Sequence, residues 1–207
     1  PAGLEALGPG VFQDCPNLTR IVYDGYTGSG NALPASLAEI TGCAFKGVPI
    51  TNLTVEGLTK AYNYAFSSAD QLKSITFAND CKITEIPGYC FRYDAMLETV
   101  VLPDNITIIG TYAFSDCTAL GFLTLPAKVT ETGNYAFAYS GLKAIDVSNV
   151  TTMGTYTFGY CEGLESVVLN ENLTKIANGT FFDCYSLANL VIPKDVTVFE
   201  SNAFVGT

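Results

Sequence analysis

The chain has 207 residues, 48% hydrophobic and 14% charged, with ten Lys and Arg against twenty Asp and Glu for a net charge of −10. So acidic a surface repels phosphate backbones and anionic bilayers, which removes the main source of affinity for nucleic acid and membrane surfaces. There is no His, so Ser-His-Asp and Cys-His catalytic constellations are excluded, and no apolar run reaches the roughly 20 residues of a membrane helix.

Along the chain one phrase recurs, as "ITEIPGYCF" at 83–91, "ITIIGTYAF" at 106–114, "VTETGNYAF" at 129–137 and "VTTMGTYTF" at 150–158. Its final Phe defines nine anchors: Phe12, Phe45, Phe66, Phe91, Phe114, Phe137, Phe158, Phe181 and Phe204. Their separations are 33, 21, 25, 23, 23, 21, 23 and 23 residues. Eight residues before each anchor stands an aliphatic residue, from Leu4 and Leu37 to Leu173 and Val196. Five before it stand Leu7, Ile40, Ala61, Ile86, Ile109, Thr132, Met153, Ile176 and Phe199. A fixed period of this length means a solenoid, in which stacked coils bury apolar edges that no single coil can bury.

After each anchor comes a second pattern, L-x-x-h-x-h with h apolar. It predicts strands in chain order at 18–23, 50–55, 72–77, 97–102, 120–125, 142–147, 164–169 and 187–192, each alternating inward and outward. Pro103, Pro126 and Pro193 follow where a strand must end. Eight parallel strands about 4.8 Å apart predict one sheet roughly 34 Å across. The 146–158 copy lacks this Pro and runs two residues short, and residues 24–34, "DGYTGSGNALP", are an insertion. That insertion is expected to be a flexible loop or a rim for binding.

These residues carry a likeness. "AFSDCTALGFLTLPAKVTETGNYAF" at 113–137 resembles the BspA-like leucine-rich repeat family of bacterial and protist surface proteins, and the likeness spans the whole chain. The resemblance implies an α/β-type repeat solenoid: a right-handed leucine-rich repeat with one parallel β-sheet on the concave face and short irregular or helical turns on the convex face. It also implies an extracellular or cell-surface location, adhesion to a host extracellular protein or glycoprotein, and no enzymatic activity. Residues 1–207 form one domain of about nine repeats. Neither end shows a polar capping module, so either more sequence at one or both ends or end turns that serve as makeshift caps are expected.

The candidate ligand-binding residues are the outward positions of the strands: Arg20, Asn52, Thr76, Thr99, Val101, Phe122, Thr124, Asp146, Ser166, Val168, Asn189 and Val191. Across the sixteen outward positions only Arg20 and Asp146 are charged, which suits a contact surface as well as it suits plain β-propensity. Five tyrosines, Tyr64, Tyr89, Tyr112, Tyr135 and Tyr156, each stand two residues before an anchor. They predict a stacked ladder, with a carbohydrate platform as the alternative. Cys15, Cys117, Cys161 and Cys184 stand three residues after an anchor and read as core thiols. Cys161 and Cys184 lie in adjacent repeats and leave a disulfide open.

The six N-x-T sequons, at Asn17, Asn52, Asn105, Asn149, Asn172 and Asn178, are largely by-products of the repeat. Carboxylates Glu98, Asp146 and Glu165 fall on or beside the sheet face, at strand spacings of about 11–14 Å, too wide for a glycosidase pair. No cofactor, metal site or membrane insertion is expected, and the chain is expected to be a monomer. The alternative function is a structural spacer or stalk with no ligand of its own.

Overall fold

A computed structural model describes residues 3–207, and every strand pair in it is parallel. The longer strands come from the L-x-x-h-x-h segments: β4 (Asn52–Val55), β6 (Ser74–Phe77), β8 (Thr99–Val101), β11 (Ala144–Val147) and β13 (Ser166–Leu169). Their alternation is the physical cause of the pairing. Leu53 and Val55, Ile75 and Phe77, and Val167 and Leu169 point inward and are buried, while the residues between them face out.

The return path is also stranded. It holds β1 (Ala6–Leu7), β3 (Glu39–Ile40), β5 (Lys60–Ala61), β7 (Glu85–Ile86), β9 (Ile108–Ile109), β10 (Glu131–Thr132), β12 (Thr152–Met153), β14 (Lys175–Ile176) and β15 (Val198–Phe199). The second residue of each is the position five before the anchor, and from Leu7 to Ile176 that residue is buried.

A third ladder runs through the anchors themselves. Phe66 N donates to Cys90 O at 2.9 Å, Phe91 N to Ala113 O at 2.8 Å and Phe114 N to Ala136 O at 2.8 Å. The Phe rings stack into one column with centroids 5.1 Å apart at Phe91–Phe114 and 5.7 Å apart at Phe158–Phe181. The seven inner rings are fully buried, and each contributes about 1.5–3 kcal/mol by leaving water.

Two expectations about the fold are corrected. First, the described residues contain no helix, so the chain is a parallel β-solenoid of the leucine-rich repeat kind, without the α/β or helical-turn character. The reason lies in the backbone. Each coil has a positive-φ residue two before and two after its anchor, as at Tyr112 (φ 55) and Asp116 (φ 63). A left-handed residue on both sides of every Phe leaves no run long enough for a right-handed helix.

Second, the broad sheet is not one eight-stranded ladder. It divides into β2 (Ala32–Leu33), β4, β6 and β8 in that order and the pair β11-β13, with Phe122 joined to Ala144 by a single bridge. Residues 187–192 form no ladder. Residues 18–23 form none either, because the insertion takes their place beside β4. Its end is β2 (Ala32–Leu33), in register with Thr54 and Val55. Ile21 O accepts from Ala32 N at 2.9 Å, and Asn31 Oδ1 accepts from Ile21 N at 2.6 Å. The end of the insertion is therefore an extra edge strand, while residues 24–31 run as turns, bends and irregular backbone.

Candidate functional site

The outward rows of the broad sheet are set by register. Asn52, Ser74 and Thr99 form one row, and Thr54, Thr76 and Val101 form the next. Beyond the break, Phe122, Ala144 and Ser166 align, and Asp146 stands beside Val168. The structure thus brings Thr76, Thr99, Val101, Phe122, Thr124, Asp146, Ser166 and Val168 onto one face over neighbouring coils.

Four of the predicted residues stand apart from this group. Arg20 lies in the displaced first segment, outside any ladder. Asn189 and Val191 lie in the last, unpaired segment, where Val191 is 85% exposed. Asn52 is committed to the fold, because its Oδ1 accepts from Asn31 N at 3.0 Å.

The break between β8 and the 120–125 segment opens the surface. A cleft of about 720 Å³ lies there, lined by Thr99, Val101, Leu102, Gly121 and Phe122. A second, of about 410 Å³, lies on the other side of Phe122, against Ala144, Asp146, Ser166 and Val168. Phe122, Thr124 and Pro126 line both, so Phe122 forms a ridge between two hollows. It is 69% exposed, with Val101 at 47% and Val168 at 54%. Sequence alternation locates Phe122 on this face. The clefts depend on how neighbouring coils diverge.

The charged residues lining the two clefts are Glu98, Asp104 and Asp146. Asp146 Oδ1 accepts from Ser148 N at 2.9 Å, and the Ser148 hydroxyl and amide hold its pKa below the usual carboxylate value. Glu98 lies 3.9 Å from Lys73 in an exposed pair worth little.

The tyrosine ladder forms as expected, with centroids 4.6, 5.1, 4.7 and 5.0 Å apart from Tyr64 to Tyr156. The stacking uses the ring faces that a sugar needs, so the carbohydrate platform loses its surface. Sequence reasoning missed three residues beside the ladder. Tyr139 and Tyr160 stack at 4.3 Å, and the Arg92 guanidinium lies 4.7 Å over the Tyr112 ring. The ladder stops at Gly179, where a Cβ would meet the Tyr156 ring at 2.4 Å.

All seven cysteines are free, and Cys15 and Cys43 are half-buried while the other five are buried. Cys161 and Cys184 form no disulfide. Their Sγ atoms donate to separate carbonyls, Phe137 O at 3.0 Å and Phe158 O at 3.2 Å, and Cys117 does the same to Phe91 O at 3.1 Å. Burial pushes the Cys161 thiol up to about 11, which suppresses the nucleophilic thiolate.

The same position in the Phe91 coil holds Asp94, which sequence reasoning passed over although the +3 row displays it. Asp94 is fully buried. Its Oδ1 accepts from Ala69 N at 2.8 Å and its Oδ2 has no partner. Burial pushes its pKa well above the usual carboxylate range, with Asp70 adding to the shift. No group of three His, Cys, Asp or Glu side chains among the described residues is placed to hold a metal ion.

A profile described as the BspA type leucine rich repeat region matches residues 1–92 and 84–207, in six copies. A solved leucine-rich repeat protein from Bacteroides ovatus superposes with a TM-score of 0.67 at 22% identity, covering 100% of this chain. The chain spans 63% of that protein's length. The T. pallidum leucine rich repeat protein superposes with a TM-score of 0.61 at 22% identity, covering 87% of this chain and 78% of its own. At such identities these likenesses describe the fold. Among curated proteins no match is found.

Proposed function

Because the chain belongs to the BspA-type leucine-rich repeat family, we propose that it is a non-enzymatic binding module of a secreted or cell-surface protein. Its partner is a host extracellular protein or glycoprotein, engaged through the outer face of the broad sheet. One observation carries the reading: Phe122 stands 69% exposed on a ridge between two clefts, with Val101 and Val168 exposed nearby. An exposed aromatic amid apolar neighbours is what a contact surface needs, and a solvated sheet face does not.

The test is biolayer interferometry of the folded chain against fibronectin, fibrinogen, laminin and mucin at physiological salt. Saturable binding that Phe122→Asp abolishes, with an unchanged circular dichroism spectrum, is the expected result. Binding that survives Phe122→Asp would sink the sheet-face assignment.

The second reading is a spacer, favoured by the continuous Phe column from Phe12 to Phe204, which braces every coil against its neighbours. No binding to any of the four proteins moves the assignment to this role.

A further inference from the structure

We infer that the two clefts flanking Phe122 accept a cationic, apolar peptide segment laid across the strands, with aliphatic side chains straddling the Phe122 ring and Lys or Arg set against the carboxylates. The inference deepens the sheet-face reading and rests on it.

Shape is the first argument. The clefts meet at Phe122, Thr124 and Pro126 and run from the coil of Thr99 to the coil of Ser166. That is three coil steps, at least about 14 Å at strand spacing, or at least about four residues of extended chain. The floor is apolar, so alternate side chains of an extended segment can bury against it on both sides of the ridge.

Charge is the second argument. The ionisable groups lining the clefts are Glu98, Asp104 and Asp146, on a chain of net charge −10; Glu98 already faces Lys73, and Asp104 and Asp146 make no ion pair among the described residues. An acidic segment or a sialylated glycan meets repulsion there. So does a second copy of this chain, whose own outward strand positions carry one cation, Arg20. A basic segment meets complementarity that raises its rate of encounter and fixes its register.

The test is fluorescence anisotropy of the intact chain with three labelled hexapeptides: alternating Lys-Leu, alternating Lys-Ser and alternating Glu-Leu. Saturable binding of Lys-Leu alone is expected. Phe122→Ser and Asp146→Lys should each weaken it about tenfold, as a lost anchor and a reversed charge at the contact demand. Glu131→Lys, an exposed carboxylate on the return ladder, should leave it within about twofold.

Lys-Ser binding as tightly as Lys-Leu would show diffuse charge attraction and overturn the inference. So would equal binding of Glu-Leu, or a Glu131→Lys loss equal to that of Asp146→Lys. A matrix protein captured through Phe122, with no Lys-Leu binding, removes the cationic segment and leaves the sheet-face reading standing. Lys-Leu binding untouched by Phe122→Ser and Asp146→Lys removes both.

Discussion

Tyr112 holds two opposing terms in one residue. Its backbone is left-handed, φ 55, a conformation that costs a residue with a Cβ about 1 kcal/mol. Its ring stacks on Tyr89 at 5.1 Å and on Tyr135 at 4.7 Å, under the Arg92 guanidinium at 4.7 Å. Two aromatic pairs at about 0.5–1.5 kcal/mol each and a cation–π contact at about 0.5–1 kcal/mol outweigh the strain. Tyr112→Ala loses the contacts and keeps the strain, so it should destabilise by about 1.5–4 kcal/mol. Tyr112→Gly loses the same contacts but relieves the strain, so it should be about 1 kcal/mol more stable than the Ala variant. Urea unfolding followed by far-UV circular dichroism reads this as a shift in midpoint at constant m. Equal midpoints for the two variants would refute the strain, and a Gly variant as stable as the parent would refute the dominance of stacking.

Asp94→Cys should restore the pattern of Cys117, Cys161 and Cys184, raising stability at pH 7 by about 1–3 kcal/mol as the unpartnered Oδ2 disappears. Ala69 N keeps Phe66 O as acceptor at 3.2 Å. The pH dependence has a definite sign. Burial makes the folded chain hold the Asp94 proton to higher pH than the unfolded chain, where the carboxyl ionises near pH 3.9, so its contribution falls as pH rises from about 4 toward its raised folded pKa. The difference in urea midpoint between variant and parent should therefore widen from pH 4 to pH 7, and a constant difference would refute the buried neutral carboxyl. Thr132→Val should stabilise by about 1 kcal/mol, because the Thr132 hydroxyl is buried without a partner in a row that is otherwise apolar up to Ile176; a lower midpoint in the same urea assay would count against this. Two thiols, Cys15 and Cys43, should react with Ellman's reagent in the native chain and all seven in urea. Fewer than seven in urea would reveal a disulfide, and more than two in the native state would contradict the buried set.

The buried columns were legible because they repeat in sequence as they repeat in space. Phe91, Phe114 and Phe137 share a phase, and so do Ile86, Ile109 and Thr132, so period alone places them on common interior rows. The outward position of Phe122 followed from strand alternation in the same way. The return strands were not legible, since a two-residue strand such as Ile108–Ile109 is too short to show alternation. Nor does anything in a Tyr announce a positive φ. That conformation is imposed where the coil must turn and where Tyr112 N has to reach Asn134 O, at 2.9 Å, in the next coil.

The sequence by itself determined the repeat, the strand-forming segments and the identity of the buried rows, because hydrophobic periodicity is a local property that every coil restates. The tertiary structure alone decided where neighbouring coils pair and where they part. Residues 120–125 read as a strand like any other, yet they keep a single bridge to Ala144 and leave β8 unpaired on that side. The wider cleft beside Phe122 lies at that divergence, and divergence is a relation between coils that no one coil encodes.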